Sequence, residues 1–226
     1  MLSLKKSSSW RVIIAVSLGA LILARFGLRL YFNADRRWKS LNQQAEQLTA
    51  QGRMDEALAA SKKALDIAQQ KFDPKDSRLL TSMESVARLD AKLGKTSEAQ
   101  ELAQPVLDAL DDQTQNLWAK RKFDDALPAA ARSLDFARAV FGNQDIHDAK
   151  PLENLAQLYS KQGRVADAEQ ATGEALDIAH ATVGPDDLRL ADALQIQATV
   201  LTDENKYASR AALPAGATNS TSSSGA

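Results

Sequence analysis

Apolar side chains recur at helical spacing through most of this chain, and glycine interrupts them at intervals. In the stretch PLENLAQLYSKQG, Leu152, Leu155, Ala156 and Tyr159 fall on one side of a helix that ends at Gly163. The next stretch, VADAEQATGEALDIAHATV, again places alanine, leucine and isoleucine on one helical face. This pattern predicts pairs of helices that are joined at a glycine.

The interruptions are periodic. Gly52 and Gly94 lie 42 residues apart, and so do Gly163 and Asn205, which takes the glycine position in DENKYASRA. A further unit begins 27 residues after the second and has Arg121 in that position. Glycine, and less often asparagine, ends helices in the left-handed conformation. We therefore expect four helix pairs and the first helix of a fifth.

Two stretches 111 residues apart show where one unit passes into the next. ALDIAQQKFDPKDSRL, from residue 64, and ALDIAHATVGPDDLRL, from residue 175, are identical at nine of sixteen positions. Each is predicted to hold the end of a second helix, a turn with proline, and an aspartate that caps the following helix. These aspartates are therefore interpreted as structural rather than catalytic.

The third unit is irregular, because it lacks 15 residues relative to a 42-residue repeat. Only DDQTQNLWAKRK, from Asp111, is left to form its first helix. Pro105 falls inside the preceding helix, which it would kink, and Pro128 falls near the start of the following one; each removes a hydrogen-bond donor. We expect disturbed stacking at residues 104–128, with Trp118 filling the gap. A hinge that shapes a binding surface and simple decay of the repeat both explain this region.

The 42-residue period, with ENLAQLYSKQGRVADAEQATGEALDIA followed by GPDDLRLADAL, resembles tetratricopeptide repeats of the long-helix kind found in kinesin light chain. The resemblance covers roughly residues 38–210. It implies an all-α fold, a right-handed superhelix of about four helix pairs and a capping helix. The repeat domain is expected at residues 36–211, with units at about 38–74, 75–111, 112–145 and 146–185 and the cap at 186–211.

The two ends are predicted to lie outside the repeats. Residues 12–24 carry no charge and follow Lys5, Lys6 and Arg11, and the apolar character resumes after Arg25. We favour an uncleaved, single-pass membrane helix at about residues 10–32, within an anchor of residues 1–35. A cleaved export signal and a buried helix of a soluble protein are the alternatives.

Basic residues flank this segment on both sides, so they do not set its orientation. The export-like layout favours repeats on the extracytoplasmic side of the membrane. The small, polar residues 212–226 are predicted to be a disordered tail.

The composition excludes several kinds of chemistry. The net charge of -1 is spread along the chain, so no basic face for nucleic acid is predicted. There is no cysteine, and the two histidines, His147 and His180, lie in different units without partners at metal-ligand spacing. Paired acidic residues such as Asp111–Asp112 and Asp124–Asp125 are expected at helix boundaries, where the helix dipole favours them. We expect no enzymatic activity, no metal and no cofactor.

The remaining function is binding of a protein or peptide. The first helix of each pair lines the concave side of a stacked-hairpin fold, and polar residues beside the core positions would face that groove. These candidate residues are Asn42, Gln43, Glu46, Ser85, Arg88, Asn154, Gln157 and Gln195. Amides both donate and accept hydrogen bonds, which suits an extended peptide or a partner helix. By resemblance, Asn154 matches the groove asparagine of the family.

The leading hypothesis is therefore a membrane-anchored adaptor or scaffold. A structural subunit of an envelope assembly, self-association included, is the alternative from another class; it would have no free groove. An exported, soluble chaperone-like factor is the third. Joint exposure of Phe123, Phe136 and Phe141 would favour the assembly subunit.

Overall fold

The computed structural model describes residues 31–182, 189 and 193–202. All regular structure within them is helical and forms eight segments: α1 (residues 31–50), α2 (Met54–Lys71), α3 (Ser77–Lys92), α4 (Thr96–Ala119), α5 (Phe123–Phe141), α6 (Ile146–Lys161), α7 (Val165–Thr182) and α8 (residues 193–202). The chain divides after Gly94 into two compact units. We call them the N-terminal unit, which holds α1–α3, and the C-terminal unit, which holds α4–α8. The all-α prediction is confirmed for this part of the chain.

Two predicted segments lie outside the described residues. The tail at residues 212–226 is one, and the membrane helix at residues 10–32 is the other, except for its last two residues. Within the described ranges, no helix has both the length and the apolar character needed to cross a membrane. The predicted right-handed superhelix concerns both units together and stays a prediction.

Packing in the N-terminal unit begins at the described start of α1. Ala34 is buried against Ala68 and Phe72 of the α2 end, and Trp38 packs against the same cluster. The Trp38 indole Nε1 also donates to Ser82 Oγ of α3 at 2.8 Å. The first hairpin therefore includes residues that the sequence had assigned to the anchor, ahead of the boundary expected at residue 36.

The predicted glycine positions end their helices as expected. Gly52, Gly94 and Gly163 have φ of 75°, 73° and 73°, and Arg121 has φ of 58° in the equivalent place. The amide of Lys122, one residue later, donates to the carbonyl five residues before it at 2.9 Å, as in a Schellman helix end. The assignment of Arg121 to the glycine position is confirmed.

Replacing Arg121 with glycine is expected to raise the free energy of unfolding by about 0.5–1 kcal/mol. A left-handed φ strains a residue that has a Cβ, and the larger entropy of glycine in the unfolded chain offsets only part of the relief. Urea denaturation of the full chain measures the change. Arg121→Ala is the control, because it keeps the Cβ; an equal gain from alanine would show that the strain lies in the side chain and not in the backbone.

Small residues stand where the paired helices approach. The alanines at equivalent positions of the four second helices, Ala57, Ala99, Ala126 and Ala168, are all fully buried, with 0% exposure. Ala156 of α6 is buried to the same extent. A side chain larger than methyl would push neighbouring helices apart. Methyl groups at these buried positions leave room for the helices to pack closely.

The short third repeat is explained by α4, which runs without interruption from Thr96 to Ala119 and contains Pro105. It joins the second helix of repeat two to the first helix of repeat three, so the missing 15 residues correspond to the turn and helix ends between them. Pro105 does not end the helix. Trp118 packs against the core of the C-terminal unit, and its ring meets Phe123 edge-on at 5.0 Å across the turn to α5.

The last described helix acts as the predicted cap. Ile196 and Val200 of α8 are buried in the same apolar cluster as Leu155 of α6 and Ile178 of α7. The opposite side of α8 is exposed at Leu194 and elsewhere. Within the described residues, α8 covers the end of the preceding helix pair, as the repeat pattern predicted.

Aspartates in the turns cap the next helices. Asp76 accepts a hydrogen bond from the amide of Arg78 at 2.9 Å at the start of α3, and Asp145 accepts one from the amide of His147 at 3.0 Å at the start of α6. The structural interpretation of Asp76, in FDPKD, is confirmed. The matching turn VGPDD, residues 183–187, lies outside the described residues.

Candidate functional site

The N-terminal unit contains a cavity of about 650 Å³ between α1 and α3, with α2 at its base, and most of the residues that line it are of polar types. Five of the eight predicted binding residues line it: Asn42, Gln43 and Glu46 from α1, and Ser85 and Arg88 from α3. We call it the polar cavity. Helical periodicity alone therefore placed these five side chains on one common surface.

Other lining residues were missed in the sequence. They are Trp38, Lys39, Thr49, Ser61, Thr81 and Lys92, together with the apolar Ala45, Ala50 and Leu89. One side of α1 carries the predicted Asn42 together with Trp38 and Thr49. The same periodicity could therefore have added Trp38 and Thr49 to the predicted binding residues. Ser61 belongs to α2, and only the packing of the hairpin brings it to the cavity.

Three polar side chains of the cavity keep oxygen acceptors available. The side chains of Asn42, Thr49 and Ser85 each donate a hydrogen bond to the backbone carbonyl four residues earlier, at 2.8–2.9 Å. The hydroxyl protons are therefore engaged, while the oxygen lone pairs of the three side chains can still accept. A partner that presents N–H groups suits this surface.

Ser61 adds a buried hydroxyl. Its side chain is 1% exposed, and Oγ has no hydrogen-bond partner among the described residues. A buried hydroxyl without a partner costs about 1–3 kcal/mol. A group that enters the cavity and bonds to Ser61 would recover that free energy on binding.

Arg88 is held in place by an acid of its own helix. Its guanidinium binds Glu84 Oε1 at 3.1 and 3.2 Å, and Glu84 is buried. The arginine side chain remains 26% exposed at the cavity wall. A partner carboxylate would have to compete with Glu84, whereas a carbonyl can share the guanidinium, which has five N–H donors.

Asn154 lies in a different cavity, of about 280 Å³, in the C-terminal unit. It is 5% exposed, and its Nδ2 donates to Asp111 Oδ1 at 2.6 Å while its Oδ1 accepts from Gln115 Nε2 at 3.0 Å. Both partners belong to α4, so Asn154 joins α6 to α4. The amide of Asn154 is thus already bonded on both sides within the C-terminal unit. Its predicted contact with a partner stays a prediction.

The remaining two predicted residues do not line either cavity. Gln157 is half-buried on α6, and Gln195 is exposed on α8. The structure thus gathers five predicted residues in the N-terminal unit and leaves three at separate places of the C-terminal unit. We take the polar cavity as the candidate site.

The histidines have local roles. His147 stacks on Phe141 with ring centroids 3.7 Å apart, and its Nδ1 lies 2.6 Å from Asp145 Oδ1. Burial raises the pKa of Asp145, but hydrogen bonds from the His147 backbone and ring outweigh it, and the pKa lies below its usual value. His180 is exposed near the end of α7. In the part of the chain that the structure describes, no group of acidic and histidine side chains could hold a metal ion.

Two solved structures are similar to this chain. One is the crystal structure of nearly identical TPR-like repeats of a putative kinesin light chain from Podosopora anserina, at 16% identity, covering 76% of this chain and 89% of that chain with a TM-score of 0.37. The other is BtubC (BKLC) from P. vanneervenii, at 17% identity, covering 88% and 98% with a TM-score of 0.36. No curated protein sequence gave a significant match.

The family assignment rests on a sequence profile. The profile described as tetratricopeptide repeat matches residues 39–112 and 115–179. The two matches meet inside α4, where the turn between repeats is missing, and together they span more than half of the chain. The chain therefore belongs to the tetratricopeptide repeat family.

Proposed function

We propose that this chain is a membrane-anchored adaptor or scaffold that binds a protein partner in the polar cavity of the N-terminal unit. Tetratricopeptide repeat proteins generally bind protein partners. The observation that carries the proposal is the convergence of Asn42, Gln43, Glu46, Ser85 and Arg88 on one open cavity.

The chemistry of the cavity favours an extended peptide. Side-chain oxygens at its wall can accept hydrogen bonds, and the buried Ser61 hydroxyl has no partner among the described residues. Backbone N–H groups of an extended segment, or the amide of an asparagine or glutamine side chain, would bond to these oxygens. Exposed Lys39, Glu46 and Lys92 at the rim carry both signs of charge, so a strongly charged segment is not favoured.

Membrane attachment is supported by the sequence of the N-terminal segment. Residues 12–24 are uncharged and follow a short basic stretch. The same layout supports repeats on the extracytoplasmic side. Cleavage would instead release an exported, soluble factor. The mass of the N-terminal peptide from the native protein distinguishes that factor from the anchored form.

A photoreactive residue at Gln43 tests the cavity, with Gln44 as the matched control. Both are exposed glutamines on α1, but only Gln43 lines the cavity. We expect crosslinks to the native partner from position 43 and few from position 44. Gln43→Trp, which fills the cavity, should weaken binding about tenfold or more, while Gln44→Trp should leave it unchanged. Equal crosslinking from both positions would contradict binding in the cavity.

The alternative of an assembly subunit lacks the observation that would favour it. Phe136 is fully buried, Phe123 packs edge-on against Trp118, and Phe141 stacks on His147. These phenylalanines do not form a joint exposed surface. We propose no enzymatic activity, because the candidate site combines amides and hydroxyls without a paired nucleophile and base.

A further inference from the structure

We infer that the N-terminal unit docks on anionic lipid headgroups through one face of its first hairpin. This face, the basic face, is formed by Arg36 and Arg37 of α1 and by Lys63 and Lys71 of α2. The inference rests on the membrane anchor of the proposed function, and it assigns a separate surface from the polar cavity.

The four basic side chains lie around two adjoining hollows between α1 and α2. The first, of about 940 Å³, is lined by Arg36, Arg37 and Lys71. The second, of about 500 Å³, shares Arg37 and Lys71 and adds Lys63. Because the hollows share residues of both helices, the basic groups belong to one continuous surface.

The charge of this surface is mostly uncompensated. The four basic side chains are exposed and make no ion pair with a described residue; Arg36 donates only to the amide oxygen of Asn33. Among the described residues that line the hollows, a single one is acidic, Asp66 in the second hollow. The face therefore carries a net positive charge in a chain whose total is -1.

The basic face lies beside the point where the predicted membrane segment reaches α1. Tyr31 and Phe32 are exposed at 42% and 53%, and the residues just before them include Phe26, Leu28 and Leu30. Aromatic residues of this kind are enriched where a chain leaves the bilayer. At 1.5 Å per residue, Arg36 and Arg37 lie about 8–9 Å along α1 from Tyr31, within one Debye length of about 10 Å.

Contacts at this point fix the hairpin relative to Tyr31. Arg78 of α3 donates to the Tyr31 hydroxyl and to Asp35, and its guanidinium stacks over the ring of Phe72. Lys71 precedes Phe72 at the end of α2, next to the start of α1. If Tyr31 lies at the headgroups, Lys71 therefore lies near them as well. Lys63 lies about two helical turns further from the headgroups along α2.

Anionic lipid is the occupant that these observations favour. An acidic protein would also complement the charge, but it would gain nothing from the neighbouring anchor. Tethering by the anchor holds the basic face near the bilayer at high effective concentration. Juxtamembrane lysines and arginines are attracted to anionic leaflets by about 1 kcal/mol each, which corresponds to about fivefold in the docked population per side chain.

The test uses the full chain in vesicles of neutral lipid alone and of neutral lipid with about one third phosphatidylglycerol. The chain has no cysteine, so a single cysteine at Gln70, on the basic face, can carry a fluorophore that headgroup-attached quenchers report. A cysteine at Asp55, about 22 Å away along α2, is the control position. We expect quenching of the label at position 70 in anionic vesicles only, and this quenching should be lost at high salt. The label at position 55 should not be quenched in either vesicle.

Charge variants complete the test. Lys71→Glu or Arg37→Glu should lower the quenched fraction at least about fivefold, and Lys63→Glu by less. Lys92→Glu on α3 is the charge-matched control and should have no effect.

Flotation with vesicles and equal quenching in both lipids would overturn lipid docking while leaving the anchor intact. Failure to float with either vesicle would overturn the anchor and this inference together. Protection of the Gln70 label by an acidic protein, without a response to lipid charge, would overturn lipid docking in favour of a protein.

Discussion

Replacing Arg78 with alanine is expected to destabilise the N-terminal unit by about 2–3 kcal/mol. The guanidinium binds Asp35 Oδ1 at 2.7 Å and Asp76 Oδ2 at 2.5 Å, donates to the Tyr31 hydroxyl, and lies 3.6 Å from the centroid of the Phe72 ring. Its side chain is only 16% exposed. Alanine would leave the partly buried Asp76 without its cation, would leave Asp35 with Lys39 alone at 3.0 Å, and would release the start of α1.

The loss should depend on pH. Hydrogen bonds from Arg78 outweigh burial and lower the pKa of Asp76 from 3.8 to about 2. Because the folded-state pKa lies below the unfolded value, this stabilisation is present above about pH 4 and is lost as the pH falls towards 2. The difference between wild type and Arg78→Ala should therefore be largest near neutral pH and should shrink in acid.

Urea denaturation at pH 7 and pH 3, with hydrogen exchange of peptides from α1, measures both effects. Arg53→Ala is the matched control, since Arg53 also pairs with an acid, Glu56, at 2.5 Å in the same unit but is 52% exposed. We expect Arg53→Ala to cost no more than about 0.5 kcal/mol. Similar losses from both variants, or an Arg78→Ala loss that is the same at both pH values, would contradict the assigned role of Arg78.

Replacing Phe136 with alanine is expected to destabilise the C-terminal unit by about 3–5 kcal/mol. Among the described residues, Phe136 is the largest of the fully buried side chains, with 0% exposure, and its removal leaves a cavity that close-packed helices cannot fill. Phe141 is the matched control on the same helix. It lies at the end of α5, four residues after Ala137, and is half-buried against His147. Its replacement by alanine should cost about 1–2 kcal/mol.

Equilibrium unfolding of the full chain, with hydrogen exchange to separate the two units, distinguishes the phenylalanines. The comparison also tests the assembly alternative. A Phe136→Ala variant that kept its stability but changed its oligomeric state would show that Phe136 belongs to an interface. Loss of stability with unchanged mass in solution would agree with a core position.

Much of the local structure could be predicted because it depends on neighbours in sequence. The positions at which helices end require a left-handed residue, so a glycine period locates them, and it located Arg121 despite its side chain. The carboxylate of Asp76 caps α3 by accepting a hydrogen bond from the amide of Arg78, only two residues later in the sequence. The five residues of the polar cavity share the faces of two helices that periodicity identifies.

Contacts between distant residues could not be predicted in the same way. Asn154 was expected to face a partner, but Asp111 and Gln115 of α4 occupy both ends of its amide. The partners come from a helix whose continuity through Pro105 the repeat pattern did not reveal. A single sequence specifies which groups are polar but not which of them meet across 39 or 43 residues of chain.

The sequence by itself determined the helical class, the repeat period, the helix ends and the family of this protein, because these follow from local conformational preferences and hydrophobic periodicity. The tertiary structure decided the fusion of two repeat helices into α4, the bonds that engage Asn154, the burial of Ser61 at the polar cavity and the placement of Arg78 between Tyr31 and two aspartates. Those features depend on which side chains packing brings within hydrogen-bond distance, and on how much water it removes from them.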